Sequence, residues 1–390
     1  MFQISPKAWQ EWFCASLQQL VISSFVLKSR KLLIACGGTG GHLFPGIAVA
    51  EAMEARGHEA LLLISEKPVD AEASAKYARL RFATLPAVAK PPTLSPRMLP
   101  FLWRLWKSVR HCKRVIHAFG ADAVLGMGGF TSLPPVYAGH VLGLKTFIHD
   151  SNARPGRANV LTSRFCDRIF LGLEAAGAFF PGRASVVTGT PARAEMAQLP
   201  ERASAAASFG LDGGRPTVVI TGGSQGARRL NELCAQAAAT WPPDVQVLHI
   251  AGTSDCARVT QIAAGRDGYQ VLGFCDQMPS AYAIADLIIA RAGASSLTEI
   301  ALAGRPSILV PYPFAADDHQ TRNAEVYARA GAAVLVQERE LDVDKLAALA
   351  TSILRDPAAR SRMSQAASSL GIADAAERVC AAIETTFSAA

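Results

Sequence analysis

From residue 31 onward, short runs of consecutive apolar residues alternate with longer stretches rich in Ala and Leu. In the first half the runs are KLLIAC (31–36), EALLLIS (59–65), AVLGM (123–127), KTFIH (145–149) and RIFLGL (168–173). In the second half they are TVVIT (217–221), VQVLHIAG (245–252), YQVLGF (269–274), DLIIA (286–290) and PSILVPY (306–312). Runs that are apolar at every position, not at every second one, predict strands covered on both faces. Such strands, spaced by helix-length segments, predict α/β units with parallel sheets. The pattern then restarts: GGTGG (37–41) and GGSQG (222–226) each follow a buried run and open a helical stretch. Two doubly wound, Rossmann-like domains are therefore expected, residues 31–192 and 193–373, meeting near VVTGTPARAE (186–195). A cleft between their strand carboxyl ends is the expected ligand site.

Two segments stand apart from this alternation. Residues 1–30 precede the first strand and carry Trp9, Trp12, Phe13, Leu17 and Leu20 at helical spacing, which predicts an amphipathic helix of unassigned role. Residues 96–117 interleave Leu99, Phe101, Leu102, Trp103, Leu105 and Trp106 with Arg97, Arg104, Lys107, Arg110, Lys113 and Arg114. That is the composition of a helix lying in a membrane interface. A core-packing helix with a solvated basic face is the alternative reading.

Composition narrows the partners. The chain has 390 residues, half of them apolar, and a net charge of +7, which favours an acidic partner. Nucleic acid is disfavoured, since there is no zinc-finger spacing, no aromatic RNA-binding signature and no long Lys/Arg run. The eight cysteines, 14, 36, 112, 166, 234, 256, 275 and 380, form no CxxC pair, so neither a disulfide framework nor a zinc site is expected. No uninterrupted apolar run is long enough for a membrane-spanning helix, and no secretory leader is recognised at the N-terminus.

The chemistry-bearing residues cluster where ligands bind in open α/β sheets, after strand carboxyl ends. Thr39, Gly40, Gly41 and His42 follow the first run, Gly128, Gly129 and Phe130 the third, and His149 to Asn152 the fourth. Ser224 and Gln225 follow TVVIT, the segment 292–299 follows DLIIA, and Asp317 to Gln320 come soon after PSILVPY. Glycine-rich strand-to-helix turns let backbone N–H groups approach a phosphate at the positive end of a helix. Neither turn is a GxxxxGK[ST] loop or a GxGxxG fingerprint, so a P-loop NTPase and a nicotinamide dehydrogenase both lose support. Ser296-Leu-Thr-Glu299 fits a helix capping box, although Glu299 suits a sugar hydroxyl equally well. Asp342-Val-Asp344 reads as a helix cap and not a metal-binding DxD, and no bound metal is expected.

The motifs GGTGGH-x-FPG, VLGMGGF, H-x-x-N, GGSQGAR, SLTEIALAGRPSILVPYP and DDHQTRNA occur in an order that resembles the MurG family. These are UDP-N-acetylglucosamine:undecaprenyl-pyrophosphoryl-MurNAc-pentapeptide N-acetylglucosamine transferases of glycosyltransferase family 28. The resemblance runs from about residue 31 to the end and implies a two-domain GT-B fold, with a final helix (about 374–390) completing the first domain. It implies an inverting transfer of GlcNAc from UDP-GlcNAc to the C4 hydroxyl of lipid I, without metal or other cofactor. Lipid II would form at the cytoplasmic face of the bacterial inner membrane, on an anionic surface shared with other cell-wall proteins. Donor-binding roles would fall to Thr39, Gly40, Gly41, Asn152, Arg193, Ser224, Gln225, Cys275, Ala294, Ser295, Ser296, Leu297, Thr298, Glu299, His319 and Gln320. In that picture Glu299 grips the ribose, the main chain near Cys275 reads uracil, and Ser224 lies by the diphosphate. His319 and Gln320 reach GlcNAc hydroxyls. The first glycine turn faces the acceptor's pyrophosphate, and Gly128, Gly129 and Phe130 with Leu102, Trp103, Arg104, Trp106 and Lys107 form the acceptor and membrane side.

Three features depart from the family pattern. His149-Asp150-Ser151-Asn152 stands where H-E-Q-N is usual, Ala292 replaces a common Ser, and the first 30 residues have no counterpart. Inverting transfer needs a base for the acceptor hydroxyl and positive character for departing UDP. His42 is the candidate base, its ordinary pKa near 6.5 suiting the task, with Asp150 or His149 as possible contributors. Other readings compatible with the residues are a different GT-B glycolipid transferase, a UDP-GlcNAc 2-epimerase, or a non-catalytic nucleotide-sugar-binding subunit.

Overall fold

The computed structural model describes residues 29–86, 98–196, 198–223 and 227–388. The expected helix around Trp9 and Trp12, and the donor-loop residues Ser224 and Gln225, lie outside the described residues. Seven strands form the first sheet: β1 (Lys31–Ala35), β2 (Glu59–Ile64), β3 (Arg81–Thr84), β4 (Ala123–Gly126), β5 (Lys145–Asp150), β6 (Arg168–Leu171) and β7 (Ser185–Val187). Six form the second: β8 (Thr217–Thr221), β9 (Gln246–Ile250), β10 (Tyr269–Leu272), β11 (Leu287–Ala290), β12 (Ser307–Leu309) and β13 (Ala333–Leu335). The spatial orders are β3-β2-β1-β4-β5-β6-β7 and β10-β9-β8-β11-β12-β13, with parallel pairing throughout. In both sheets the order reverses next to the first strand, between β1 and β4 and between β8 and β11. That switch point is where doubly wound sheets open a ligand crevice.

Each sheet is sandwiched, which is why its central strands are apolar at every position. On one face of the first sheet, Leu32, Ile34 and Leu62 pack against Leu43 and Ile47 of the Gly40–Ala55 helix. The same cluster contains Val379, Cys380 and Ile383 of the last helix, Ala375–Ser388, so the chain returns to the first domain to finish its core. The opposite face, Leu33, Leu63 and Val124, is covered by Cys112, Ile116 and Val136. In the second sheet Val218 and Ile220 meet Leu230 and Leu346, while Val219 and Ile288 meet Tyr282 and Ile300.

The strands absent from the sequence reading are β3, β7 and β13, and all three lie at sheet edges. They are three or four residues long, and the side chains of β7 are exposed throughout. A half-covered edge needs no continuous apolar run, so it leaves little signal. The capping-box expectation is corrected: the Ala294–Leu302 helix starts two residues before Ser296, with Gly293 in extended geometry as its N-cap. Glu299 is therefore mid-helix and makes tertiary contacts. Asp342 does cap the Val343–Arg355 helix, accepting the Lys345 N–H at 2.7 Å.

The first glycine turn is fastened from the neighbouring β2 loop. Gly37 packs so tightly that a Cβ there would lie 2.2 Å from the Ser65 nitrogen. Asp70, fully buried, accepts the Gly38 N–H at 2.9 Å, the Ser65 N–H at 2.8 Å and the Ser65 hydroxyl at 2.5 Å, all on one oxygen. The Gly38 N–H is thus committed to protein and is not open to a ligand. Asp70→Ala is expected to cost the N-terminal domain about 3 kcal/mol by stranding the buried Ser65 N–H and the half-buried Gly38 N–H. Asp70→Asn, which keeps an acceptor oxygen, is expected to cost about 1 kcal/mol; denaturant unfolding of the two variants checks the order.

His249 gives the second domain a pH dependence. Its ring is buried between the Tyr269 hydroxyl at 2.7 Å and the Asn231 side-chain oxygen at 3.1 Å, and burial pushes its pKa down to about 3. The unfolded chain takes up this proton near pH 6.5 and the folded chain does not, so stability is lost as pH falls from about 6.5 toward 3. Between pH 6 and 4 the slope from this one group is about 1.4 kcal/mol per pH unit. Urea unfolding of wild type and His249→Gln at pH 7, 6 and 5 is expected to show the variant's slope reduced by that amount.

Candidate functional site

The Gly40–Ala55 helix begins with no acidic residue in its first turn and no side chain capping it, so its N-terminal dipole faces outward uncompensated. His42 lies in that first turn, and its ring rests on the second glycine loop. A Cβ on Gly128 would stand 2.9 Å from the ring's Cε1, and one on Gly129 3.2 Å from Nε2. Both glycines also have positive φ, 114° and 73°, so backbone freedom and close approach each demand glycine there. The loop is locked to the first turn by Thr131, whose hydroxyl donates to the Gly37 carbonyl at 2.9 Å. Burial pushes the His42 pKa below its ordinary value, with the Met127 carbonyl working against it. Its Nδ1 is buried without a hydrogen-bond partner. The imidazole is therefore neutral at neutral pH, the form a general base requires.

At the end of β5 the structure gives Asp150 a different task from acceptor contact. Its carboxylate is buried and accepts the Asn152 N–H at 2.9 Å, the Gly156 N–H at 3.3 Å and the Asn159 amide at 2.7 Å. Burial raises its pKa against these hydrogen bonds. The side chain one methylene shorter than Glu braces its own loop instead of reaching a substrate. His149 is likewise internal: Nε2 donates to the Gly189 carbonyl at 2.9 Å, and burial lowers its pKa to about 4. Of the three candidate bases, only His42 sits on a helix start at the cleft.

Across the cleft, Arg193 donates to Glu299 Oε1 at 2.9 Å, and the Tyr282 hydroxyl donates to Oε2 at 3.0 Å. Burial lowers the Arg193 pKa, but the Glu299 charge and hydrogen bond outweigh it and the net shift is upward. The guanidinium also stands 5.3 Å from the Phe44 ring of the first domain. Gln320 accepts the Ala292 N–H at 3.2 Å and the Tyr312 N–H at 2.9 Å, committing its oxygen to the loops after β11 and β12 and leaving its NH2 for a ligand. His319 opens the His319–Arg329 helix with Nδ1 donating to the Ala316 carbonyl at 2.8 Å. Just before it, Asp317 and Asp318 both have positive φ, 52° and 53°. Two adjacent non-glycine residues in that region are strained backbone, held in part by Arg157, which grips Asp317 at 2.6 Å. Within 294–299, Leu297 points into the core, so only its main chain serves a ligand; Thr298 is tied to the Ala294 carbonyl at 3.0 Å. Cys275 is buried in the same core.

The two halves touch through these residues. Pro45 has no N–H, so the Gly41 carbonyl loses its helical partner, and it accepts a long 3.5 Å contact from the Ser295 hydroxyl. The structure thus brings Thr39 to His42, Asn152, Arg193, Ala294 to Glu299 and His319 to Gln320 around one cleft. Asp70, Tyr282, Asn159, Arg157 and Phe44 were not legible in advance: each acts through a fold contact that no local motif announces.

The Met98–Phe119 helix buries Phe101, Ser108, Cys112 and Ile116 and leaves Leu99, Leu102, Trp103 and Trp106 on its exposed side, Leu99 at 77%. Positions 99, 102, 103 and 106 form one stripe. Lys107 lies 3.5 Å over the Trp103 ring and Arg110 4.8 Å over Trp106. Phe101 meets Phe130 at 5.5 Å between ring centroids, tying this helix to the second glycine loop. Core packing accounts for one face only. No helix among the described residues is long and apolar enough to cross a membrane.

Residues 32–171 match the glycosyltransferase family 28 N-terminal domain, and residues 217–379 match the family's C-terminal domain. A UDP-N-acetylglucosamine–N-acetylmuramyl-(pentapeptide) pyrophosphoryl-undecaprenol N-acetylglucosamine transferase of Geobacter sp. (strain M21) is 34% identical over 368 residues, covering 91% of this chain and 96% of that protein. The crystal structure of Acinetobacter baumannii MurG superposes with a TM-score of 0.73 at 28% identity, covering 91% of this chain and 99% of that one. A Neisseria meningitidis UDP-GlcNAc 2-epimerase bound to UDP-GlcNAc shares the fold alone, at 13% identity and a TM-score of 0.64, with 90% and 99% covered. The chain belongs to glycosyltransferase family 28, spans both domains of its GT-B fold, and falls with the family's MurG members.

Proposed function

We propose that the protein transfers GlcNAc from UDP-GlcNAc to the MurNAc C4 hydroxyl of undecaprenyl-pyrophosphoryl-MurNAc-pentapeptide, with inversion and without a metal. The observation that carries this reading is the meeting of two uncompensated helix starts, Gly40–Ala55 and Ala294–Leu302, at the Gly41–Ser295 contact. One start carries a neutral imidazole, and the other opens the helix whose Glu299 pairs with Arg193. His42 takes the acceptor proton while the opposite helix start and Arg193 stabilise the departing diphosphate. Both Glu299 oxygens are occupied in the free enzyme. A ribose hydroxyl that claims Oε1 frees Arg193 for the diphosphate, exchanging one charge-assisted contact for another.

We further infer peripheral binding to an anionic membrane, by the exposed apolar stripe of Met98–Phe119 with Arg104 and Lys107 beside it. The Phe101–Phe130 contact, which ties that helix to the Gly128–Phe130 loop, supports this reading: it suits an acceptor whose head must reach the cleft while its tail stays in lipid.

The test is to supply radiolabelled UDP-GlcNAc with lipid I or with diacylglycerol and to follow label into the lipid fraction. Label in the lipid I product alone is expected; transfer only to diacylglycerol, or none, would sink the reading. His42→Ala is expected to lose at least about 100-fold in turnover while calorimetry shows donor binding kept. Because activity needs the neutral ring and burial depresses its pKa, the acid limb of the rate is expected below about pH 6.5. Arg104→Glu with Lys107→Glu is expected to weaken binding to phosphatidylglycerol vesicles by about 30-fold, at about 1 kcal/mol per basic residue, measured by co-sedimentation.

A further inference from the structure

Asn323, in the second turn of the His319–Arg329 helix, is fully buried although it is polar. Its side-chain oxygen accepts the Ala153 N–H at 2.8 Å, and its NH2 donates to the Asn152 side-chain oxygen at 3.1 Å and to the Ala292 carbonyl at 3.1 Å. Asn152 and Ala153 belong to the loop after β5 in the first domain; Ala292 belongs to the loop after β11 in the second. One amide thus joins the domains, two of its hydrogen bonds crossing to the first domain and the third holding it to its own, and both amide hydrogens are used. Ala153 and Ala292 are themselves buried, so water cannot replace what the amide supplies. Three other interdomain contacts among the described residues are weaker: Arg157–Asp317 is exposed on the arginine side, Gly41–Ser295 is at the limit of hydrogen-bond length, and Arg193 stands 5.3 Å from the Phe44 ring.

We infer that Asn323 is a positioning residue for the transfer reaction: it fastens the two domains in register and sets the amide of Asn152 toward the donor. This rests on the proposed donor role of Asn152. Asn152 is held from both ends, its N–H on Asp150 and its side-chain oxygen on Asn323. Its NH2 is then left to face outward, with only a long 3.4 Å contact back to Asp150. A β5 loop released from Asn323 lets that amide rotate, and it also loses its distance to the loop after β11.

Asn323→Asp separates the contacts. It keeps an acceptor for the Ala153 N–H and sets negative charge against the Asn152 and Ala292 oxygens. In the full-length enzyme, kcat/KM for UDP-GlcNAc is expected to fall about tenfold or more, the size of one oriented hydrogen bond lost, mostly through KM. Calorimetric UDP-GlcNAc affinity is expected to fall in parallel, and small-angle scattering to show a larger radius of gyration. Adding Asn152→Ala is expected to cost the variant less than about threefold, although it costs wild type tenfold, because the two residues act as one unit. A variant with lowered melting temperature but unchanged kcat/KM overturns the proposal, as do losses that multiply in full. If Asn323→Asp does not fold, Asn323→Ser, smaller and uncharged, carries the same measurements. Donor affinity and radius of gyration need no acceptor, so failure of lipid I transfer and failure of the fastener are told apart.

Discussion

A parallel sheet can be built only with crossover connections, and that constraint places every strand-to-helix turn on the same edge. Here it operates twice. Each sheet presents its turns, and the positive starts of the helices that follow, along its carboxyl edge, and the two edges face one another. Neither the Gly40–Ala55 helix nor the Ala294–Leu302 helix has an acidic residue in its first turn. A diphosphate between them meets partial positive charge from both sides, fixed in the backbone before any ligand arrives. Arg193 adds a full positive charge among the donor-side candidates, and Glu299 holds it in place.

Turns with this much exposed backbone need bracing, and buried polar side chains supply it. Asp70 braces the first glycine turn, Asp150 the loop after β5, and Asn323 the junction between that loop and the second domain. Each accepts or donates several bonds from one buried side chain, an arrangement that stabilises only when nearly every contact is made. The same networks therefore make the site intolerant of single changes. Apolar packing sets the sheets' positions; these polar braces set the turns to within a hydrogen-bond length.

Much of this was legible in the sequence because the signal was one-dimensional. Ten continuous apolar runs read as strands, and the structure has a strand at each; the repeated glycine turns marked where both sheets restart. What was not legible depends on neighbours far along the chain. The edge strands β3, β7 and β13 lack a core face to announce them. Ser296-Leu-Thr-Glu299 looked like a cap because a local rule fits it, yet extended geometry at Gly293 starts the helix earlier and turns Glu299 toward Arg193. Asp150 resembled a substrate contact by motif position, and its burial among three donors shows a brace. Asn323 was present in the DDHQTRNA motif, but its partners are 31 and about 170 residues away.

Satisfied and unsatisfied buried groups both occur beside the cleft. Asn323 uses both of its amide hydrogens and its oxygen within the protein, and His149 and His249 each bond through both ring nitrogens. His42 Nδ1, Asn159 Oδ1 and Arg193 Nε, by contrast, are buried and without partners. All three border the cleft: His42 on the first glycine turn, Asn159 beside Gly128, Arg193 against Phe44 and Glu299. A buried polar atom left unpaired costs about 1–3 kcal/mol, and the same cost falls on scaffold atoms such as Trp241 Nε1, Ser307 Oγ and Asp70 Oδ1. Burial depresses the basicity of His42 against a backbone carbonyl that favours the proton, whereas at Arg193 the Glu299 carboxylate outweighs burial and the charge is retained. The cleft thus holds a neutral imidazole on one wall and a cation on the other, the polarity that the proposed transfer of a sugar from a diphosphate to a hydroxyl requires.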